Sequence, residues 1–119
     1  MYCTGVGKAI LAYLPEDEVA QIWKASDVHP ITENTIVDFD ILKEQLAKVR
    51  ECGIAIDNEE NEPGVLCMAA PIFDWQHQPI AAVSVSAPSV RMTPEAQKRV
   101  MPKIIQITTE ISYQLGCVL

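Results

Sequence analysis

The first stretch that could do chemistry is "CTGVGKAILAYL" near the start of the chain, in which Gly5, Gly7 and Lys8 precede an apolar segment. It is not the nucleotide-binding motif G-x-x-x-x-G-K-[ST], because Tyr2 stands where the first glycine belongs and Ala9 where the hydroxyl belongs. A helix start nevertheless leaves backbone N–H groups without acceptors, and glycine lets a small anion approach them. The stretch therefore predicts either a carboxylate-binding turn or only a tight turn with close helix packing.

A second group of candidate residues lies on predicted strands. In "AVSVSAP" the residues alternate, so the hydroxyls of Ser84 and Ser86 share one face and can donate to the two oxygens of a carboxylate. Cys67 in "VLCMAA" shares a face with Val65, and Asp57 ends the strand "IAID". Each candidate has an ordinary alternative, namely solvent-facing serines, a core thiol and a loop-capping aspartate. The fold decides whether these residues meet.

Hydrophobic spacing and capping residues predict the elements that position these groups. We expect a first helix over about residues 7–13, a second in "LPEDEVAQIWKAS" and a third in "DFDILKEQLAKVRECG". The third is capped by Asp38 or Asp40 and ended by Gly53. "IAID", "VLCMAAPIF" and "IAAVSVSAP" predict strands, the last two joined as an antiparallel hairpin, and a final helix contains Pro102, which should kink or restart it. This order predicts an α+β fold with a largely antiparallel sheet.

Composition limits the class of protein. The chain has the length, 119 residues, and the hydrophobic content, 49%, of one domain over residues 1–119, and no apolar run is long enough to cross a membrane. A formal charge of −7 with scattered basic residues excludes nucleic-acid binding by this segment itself. The four cysteines lack the spacing of a zinc site, and the first residues do not form a secretory signal. We therefore expect free thiols, no metal, no cofactor and a cytoplasmic location.

Three blocks of the sequence resemble the effector-binding domain of the IclR (isocitrate lyase regulator) family of bacterial transcription factors. They are "TGVGKAILAYLPEDEV", "GIAIDNEENEPGVLCMAAPIFD" and "AAVSVSAPSVRMTPEAQKRV", and with "LKEQLAKVRECG" they cover nearly all of the chain in order. The resemblance implies a GAF or profilin-like fold that binds a small organic acid, a keto acid or sugar-derived acid, and self-associates as a dimer or tetramer. DNA contact would come only through a separate N-terminal winged helix. Because a family member also has sheet strands before the glycine turn, we expect this chain to be a truncated domain with unpaired strand edges.

The resemblance also implies an effector site made of backbone donors, pocket-lining side chains and strand hydroxyls. Its members are Gly5, Val6, Asp57, Val65, Cys67, Ser84 and Ser86. None of them needs to be catalytic, so we expect the chain not to be an enzyme. Two alternatives stay open, an enzyme with Cys67 as nucleophile and Asp57 or a histidine as helper, and a purely structural association module with solvated serines.

Overall fold

Helices pack on both faces of an antiparallel sheet in the computed structural model, which describes residues 3–117. Within those residues the helices are α1, Gly5–Leu11; α2, Glu16–Ala25; α3, Phe39–Cys52; and α4, Pro94–Gln114. The strands are β1, Ala55–Asn58; β2, Val65–Phe73; and β3, Pro79–Pro88, with a 3-10 turn at Ser89–Arg91. The strand order is β1-β2-β3, and both pairs are antiparallel. The predicted α+β class and hairpin are confirmed, whereas the likeness to GAF and profilin-like folds stays a prediction.

Helices α3 and α4 begin at the capping residues that the sequence predicts. Asp38 accepts a hydrogen bond from the backbone N–H of Asp40, and Gly53 ends α3 in the left-handed conformation at φ 79°. Thr93 caps α4. The predicted restart at Pro102 is wrong, since α4 continues through this residue. Pro102 is exposed, so water can hydrogen-bond the carbonyl that loses its N–H partner.

Helix α1 begins at Gly5, before the predicted range of residues 7–13. Thr4 is its N-cap, because the Thr4 hydroxyl accepts from the backbone N–H of Gly7 at 3.0 Å and the Thr4 carbonyl from that of Lys8 at 2.9 Å. Both glycines therefore lie in the first helical turn and not in a preceding loop. This correction places Gly5 and Val6 at the positions whose N–H groups have no acceptor within a helix.

The two faces of the sheet bury different apolar clusters. On one face Ala69 packs with residues of α1 and α3, among them Leu46. On the other face Met68 packs with Ile104 of α4. Because side chains alternate along a strand, the residues of β3 paired with the α1-facing residues of β2 also face α1. That side of β3 carries Ser84 and Ser86.

The surface leaves strand edges and several apolar side chains in solvent. Within residues 3–117, β1 and β3 each pair only with β2, so each has one free edge. Trp75 is 67% exposed, Tyr113 72% and Val90 88%. No helix in the described part of the chain is long and apolar enough to cross a membrane. The exposed apolar groups are available for contacts with another protein surface.

Candidate functional site

Three of the candidate side chains form one row across the sheet. Asp57 of β1 is paired with Cys67 of β2, and Cys67 is paired with Ser86 of β3. In the next row Ala69 is paired with Ser84, so the two serines lie side by side on the same face as Cys67. The sheet register therefore brings Asp57, Cys67 and both serines together.

The start of α1 lies directly over this row. A Cβ atom added to Gly5 would stand 3.2 Å from Cys67 Sγ and 3.4 Å from the Cβ of Ala69. Gly5 is buried, and the half-buried Val6 packs against the core on this side of the sheet. A side chain at position 5 would push α1 away from the strand, so glycine is needed here for close approach. The first turn of α1 and the serine-bearing strand β3 therefore lie on the same side of the sheet, next to Cys67.

The first turn of α1 offers two unused backbone donors to this place. Thr4 satisfies the N–H of Gly7, and within residues 3–117 no hydrogen bond engages the N–H groups of Gly5 and Val6. Helix α1 lies on the side of the sheet that carries the Ser84 hydroxyl, for which no hydrogen bond within the described residues is present either. Backbone N–H groups and hydroxyls are suited to binding a carboxylate.

Asp57 is buried, with 6% of its surface exposed, and one of its oxygens has a local partner. The backbone N–H of Glu60 donates to Asp57 Oδ1 at 2.8 Å, which is the loop-capping role that the sequence allowed. Within residues 3–117 no hydrogen bond reaches Oδ2. This oxygen can therefore accept a hydrogen bond from a ligand hydroxyl.

Cys67 and Val65 line the same face of β2. The Ser86 hydroxyl donates to Cys67 Sγ at 3.4 Å, and Cys67 is 9% exposed. Val65 is half-buried at the start of β2, opposite Pro88, and so lies at the border of the row. Ser86 and Ser84 are both exposed. Val65 therefore lies at the start of β2, two residues before Cys67 and outside the row. The hydroxyls of Ser84 and Ser86 are accessible to solvent.

Two carboxylates lie close to the Cys3 thiol, next to the row. Burial raises the pKa of the Cys3 thiol from 9.0, and the carboxylates of Asp57 and Glu60 raise it further. Among the described residues, no cluster of three or more His, Cys, Asp or Glu side chains could hold a metal ion. The donors that the described residues offer at this place are the neutral N–H groups and hydroxyls given above.

An ion pair that the sequence reasoning missed lies beside the site. Lys8, only 1% exposed, donates to both carboxylate oxygens of Glu60, at 2.8 and 2.7 Å. A lysine inside the apolar stretch of α1 indicates a buried acidic partner, because a buried charge has to be paired. Its partner could not be identified from local spacing, because Glu60 is 52 residues away along the chain.

A groove of about 1240 Å³ lies elsewhere, along α2 and α3. Its charged lining residues are Glu16, Glu18, Asp40, Glu44, Lys43 and Arg50. Lys43 is paired with Glu16 and Asp40, and Arg50 donates to the Ala12 carbonyl at 2.9 Å. Since acidic groups outnumber basic ones here and the basic ones are engaged, this groove is poorly suited to a carboxylate, and we place the candidate site between α1 and β3.

In the alternative of a cysteine-dependent enzyme, His77 is too far from Cys67 to be its base. The polar partner of Cys67 is Ser86, whereas His77 lies in the turn between β2 and β3. Cys67 is six residues from the Phe73 end of β2, about 20 Å along an extended strand. A base must lie within hydrogen-bond reach of its nucleophile, so His77 cannot activate this thiol.

Comparison with known proteins identifies the family. The family model of the bacterial transcriptional regulator IclR C-terminal domain matches residues 1–113. The chain belongs to the IclR family of transcriptional regulators. It is similar to the DNA-binding transcriptional repressor YiaJ of Escherichia coli, with 35% identity over 118 residues that cover 98% of the chain and 42% of the relative. The resemblance inferred from the sequence is confirmed.

Solved structures of IclR-family domains share the fold. The C-terminal domain of E. coli KdgR superimposes with a TM-score of 0.91 at 37% identity, covering 97% of this chain and 70% of that one. The inducer-binding domain of PobR from Acinetobacter, crystallised with 3-hydroxybenzoic acid, gives a TM-score of 0.86 at 26% identity over 93% of this chain and 64% of that one.

The comparisons also bear on the length of the chain and on whether it is an enzyme. The chain spans about two-fifths, 42%, of the length of the YiaJ repressor. The family consists of transcriptional regulators, and on that ground the prediction that the chain is not an enzyme is confirmed.

Proposed function

We propose that this chain is a single effector-binding domain, residues 1–119, of a bacterial transcription regulator, and that it senses a small organic acid between α1 and β3. The observation that carries the proposal is the position of Gly5 over Cys67, beside the strand of Ser84 and Ser86, with the N–H groups of Gly5 and Val6 unpaired within residues 3–117. PobR, a relative with the same fold, was crystallised with a small aromatic acid in its inducer-binding domain.

In the proposed site the ligand carboxylate binds to neutral donors. The N–H groups of Gly5 and Val6 bind one oxygen, and the hydroxyl of Ser84 binds the other. The Ser86 hydroxyl joins it by turning its proton from Cys67 Sγ to the ligand. A hydroxyl on the ligand donates to Asp57, whose Oδ2 has no partner within residues 3–117. A sugar-derived acid, or a keto acid that also carries a hydroxyl, fits this pattern.

The domain acts by shifting the populations of its own conformations. An acid that binds one arrangement of α1 and β3 more tightly than another favours that arrangement, and a partner domain reads the difference. Such coupling amounts to about 1–3 kcal/mol in typical regulators. DNA contact belongs to a separate N-terminal domain, because this chain carries a formal charge of −7 and no basic stripe. The setting is the cytoplasm, with no membrane partner.

Thermal unfolding with a panel of acids tests the proposal. Glyoxylate, pyruvate, 2-keto-3-deoxygluconate and 3-hydroxybenzoate are the probes, and a ligand at 100 times its Kd adds about 2.7 kcal/mol, raising Tm by roughly 10 °C for a domain of this size. The double variant Ser84→Ala/Ser86→Ala should lose the shift. Ser89→Ala is the matched control, since the buried Ser89 hydroxyl has no hydrogen-bond partner within residues 3–117 and lies beyond β3. An unchanged shift in the double variant would contradict the site.

A second candidate function is association, and it is compatible with sensing. The exposed Val90, Tyr113 and Trp75, together with the free edge of β3, favour contacts between copies of the domain as a dimer or tetramer. Sedimentation velocity measures the oligomeric state. If a stable oligomer forms but none of the acids shifts Tm, the chain is an association module only.

A further inference from the structure

The Lys8 side chain connects four parts of the fold. Its ammonium group donates to the Ile56 carbonyl of β1 at 2.7 Å, to Gln45 Oε1 of α3 at 3.3 Å and to both carboxylate oxygens of Glu60 in the turn after β1. An ammonium group has three N–H donors, so it is fully satisfied although its side chain is only 1% exposed. The contacts of Lys8 thus fix where α1 lies relative to β1 and α3.

Glu60 extends this connection to the candidate site. Its Oε2 also accepts from the backbone N–H of Asn58 at 3.1 Å, and its own backbone N–H donates to Asp57 Oδ1 at 2.8 Å. Lys8 therefore holds Glu60, and Glu60 holds the carboxylate of Asp57. A single chain of hydrogen bonds connects α1 with the acceptor that the site presents.

The turn after β1 is also held from its other side. The hydroxyl of Thr32 donates to the Glu59 carbonyl, and that of Thr35 donates to the Glu60 carbonyl. Both threonines belong to the segment between α2 and α3. On the α1 side the turn is held by the ion pair of Lys8 and by a weaker contact, in which Cys3 Sγ donates to Asn61 Oδ1 at 3.6 Å.

We propose that the buried Lys8–Glu60 ion pair is the positioning element of the site: it keeps the start of α1 closed over Cys67 and Asp57 aimed at the ligand, although neither residue touches the ligand. Helix α1 has only seven residues and is too short to be stable by itself. When one partner is removed, the other charge stays buried and unpaired, so water enters and the turn separates from α1. The part of this inference that concerns acid binding rests on the proposed function.

Thiol labelling tests the closed position of α1 without any ligand. Cys67 Sγ lies under Gly5, and Cys117 at the end of α4 is 1% exposed and serves as an internal reference. Alkylation with iodoacetamide, followed by peptide mass spectrometry, gives the rate at each thiol. When opening and closing are fast, each rate follows the population of the state in which that thiol is open.

The variants are chosen so that local and global opening can be distinguished. Lys8→Met keeps the apolar stem but removes the charge, and Glu60→Gln, the milder change, keeps the shape of the side chain should the first variant fail to fold. We expect alkylation of Cys67 to accelerate about tenfold in Lys8→Met and about threefold in Glu60→Gln, with Cys117 unchanged. Lys43→Met removes the exposed ion pairs of Lys43 and should change neither rate.

Two labelling results would overturn the proposal. Equal acceleration at Cys67 and Cys117 would show that the pair serves only global stability, and no acceleration at Cys67 would show that it does not hold α1 closed.

An acid-binding arm separates this inference from the proposed function. 2-Keto-3-deoxygluconate and 3-hydroxybenzoate, which carry a hydroxyl that can donate to Asp57, are titrated into the original chain, Glu60→Gln and Lys43→Met, and the shift in Tm is measured. We expect Glu60→Gln to need about tenfold more acid for the same shift, and Lys43→Met to match the original chain. If Cys67 opens selectively but the original chain binds no acid, the proposed function fails while the positioning role stands. If Glu60→Gln opens Cys67 yet binds acid normally, the link between the pair and the site is wrong.

Discussion

Replacement of Gly5 by alanine is the perturbation that most directly tests the contact between α1 and the sheet. The added Cβ would stand 3.2 Å from Cys67 Sγ, closer than ordinary van der Waals contact, and 3.4 Å from the Cβ of Ala69. Cys67 Sγ is held by the Ser86 hydroxyl and the Cβ of Ala69 is fixed to the backbone, so these neighbours must give by a few tenths of an ångström. Gly5→Ala should therefore destabilise the domain through Cys67.

The expected change in the free energy of unfolding of Gly5→Ala follows from two opposing effects. Overpacking in a close-packed region costs about 1–3 kcal/mol. Alanine in place of glycine in a helix offsets this by about 0.5–1 kcal/mol. We expect a net loss of about 1 kcal/mol in the free energy of unfolding, together with a loss of the acid-dependent shift in Tm, because the methyl group occupies the site.

A double-mutant cycle isolates the contact from the other effects. Cys67→Ala alone removes a buried sulfur and should cost about 1 kcal/mol. In Gly5→Ala/Cys67→Ala the new methyl group takes up part of the space that the sulfur leaves. The double variant should therefore be about 1 kcal/mol more stable than the sum of the two single changes predicts.

Urea unfolding followed by circular dichroism measures these free energies. Gly53→Ala is the control, since Gly53 has φ 79° and only the end of the Ile105 side chain, at 4.0 Å, near its added Cβ. It should destabilise through backbone strain and be additive with Cys67→Ala. A coupling of zero between positions 5 and 67 would refute the placement of α1 over Cys67.

Two further predictions concern α4 and the start of the chain. Ser112→Ala should lower the free energy of unfolding by about 1 kcal/mol, because the Ser112 hydroxyl accepts from the backbone N–H of the half-buried Phe73 at 2.9 Å, and urea unfolding measures the loss. Ser112→Thr, which keeps a hydroxyl, should lose less. Burial raises the pKa of Cys3, so above pH 9.0 the unfolded thiol ionises before the folded one. The free energy of unfolding should then fall from about pH 9 until the folded thiol ionises too, and Cys3→Ser should flatten this fall; an identical pH profile in the variant would contradict the assignment.

The sequence predicted the elements well where one residue type determines local structure. Helix α3 begins at Asp38 and ends at Gly53 because a side-chain cap and a left-handed glycine act within a few residues. The alternation of β3 predicted that Ser84 and Ser86 share a face. The start of α1 was missed although its signal was present, since Thr4 stands three residues before the N–H that it caps.

The arrangement of the site depends on contacts between residues far apart in the chain. The pairing of Cys67 with Ser86 is set by the β2–β3 turn and by an irregularity at Ile72/Phe73, which spacing alone does not reveal. The partner of Lys8 is likewise distant along the chain. The family resemblance supplied the list of site residues, and the structure shows their neighbours. Acid binding by these site residues is the proposal that the experiments test.

The central claim is that the start of α1 and the serine-bearing strand form one acid-binding site. NMR spectroscopy of the 13.2 kDa chain, with glyoxylate or pyruvate titrated into a ¹⁵N-labelled sample, tests it residue by residue. The largest changes should occur at the backbone N–H groups of Gly5 and Val6 and around Ser84 and Ser86, with one common Kd. Changes confined to the groove along α2 and α3, or no saturable change at all, would contradict the account.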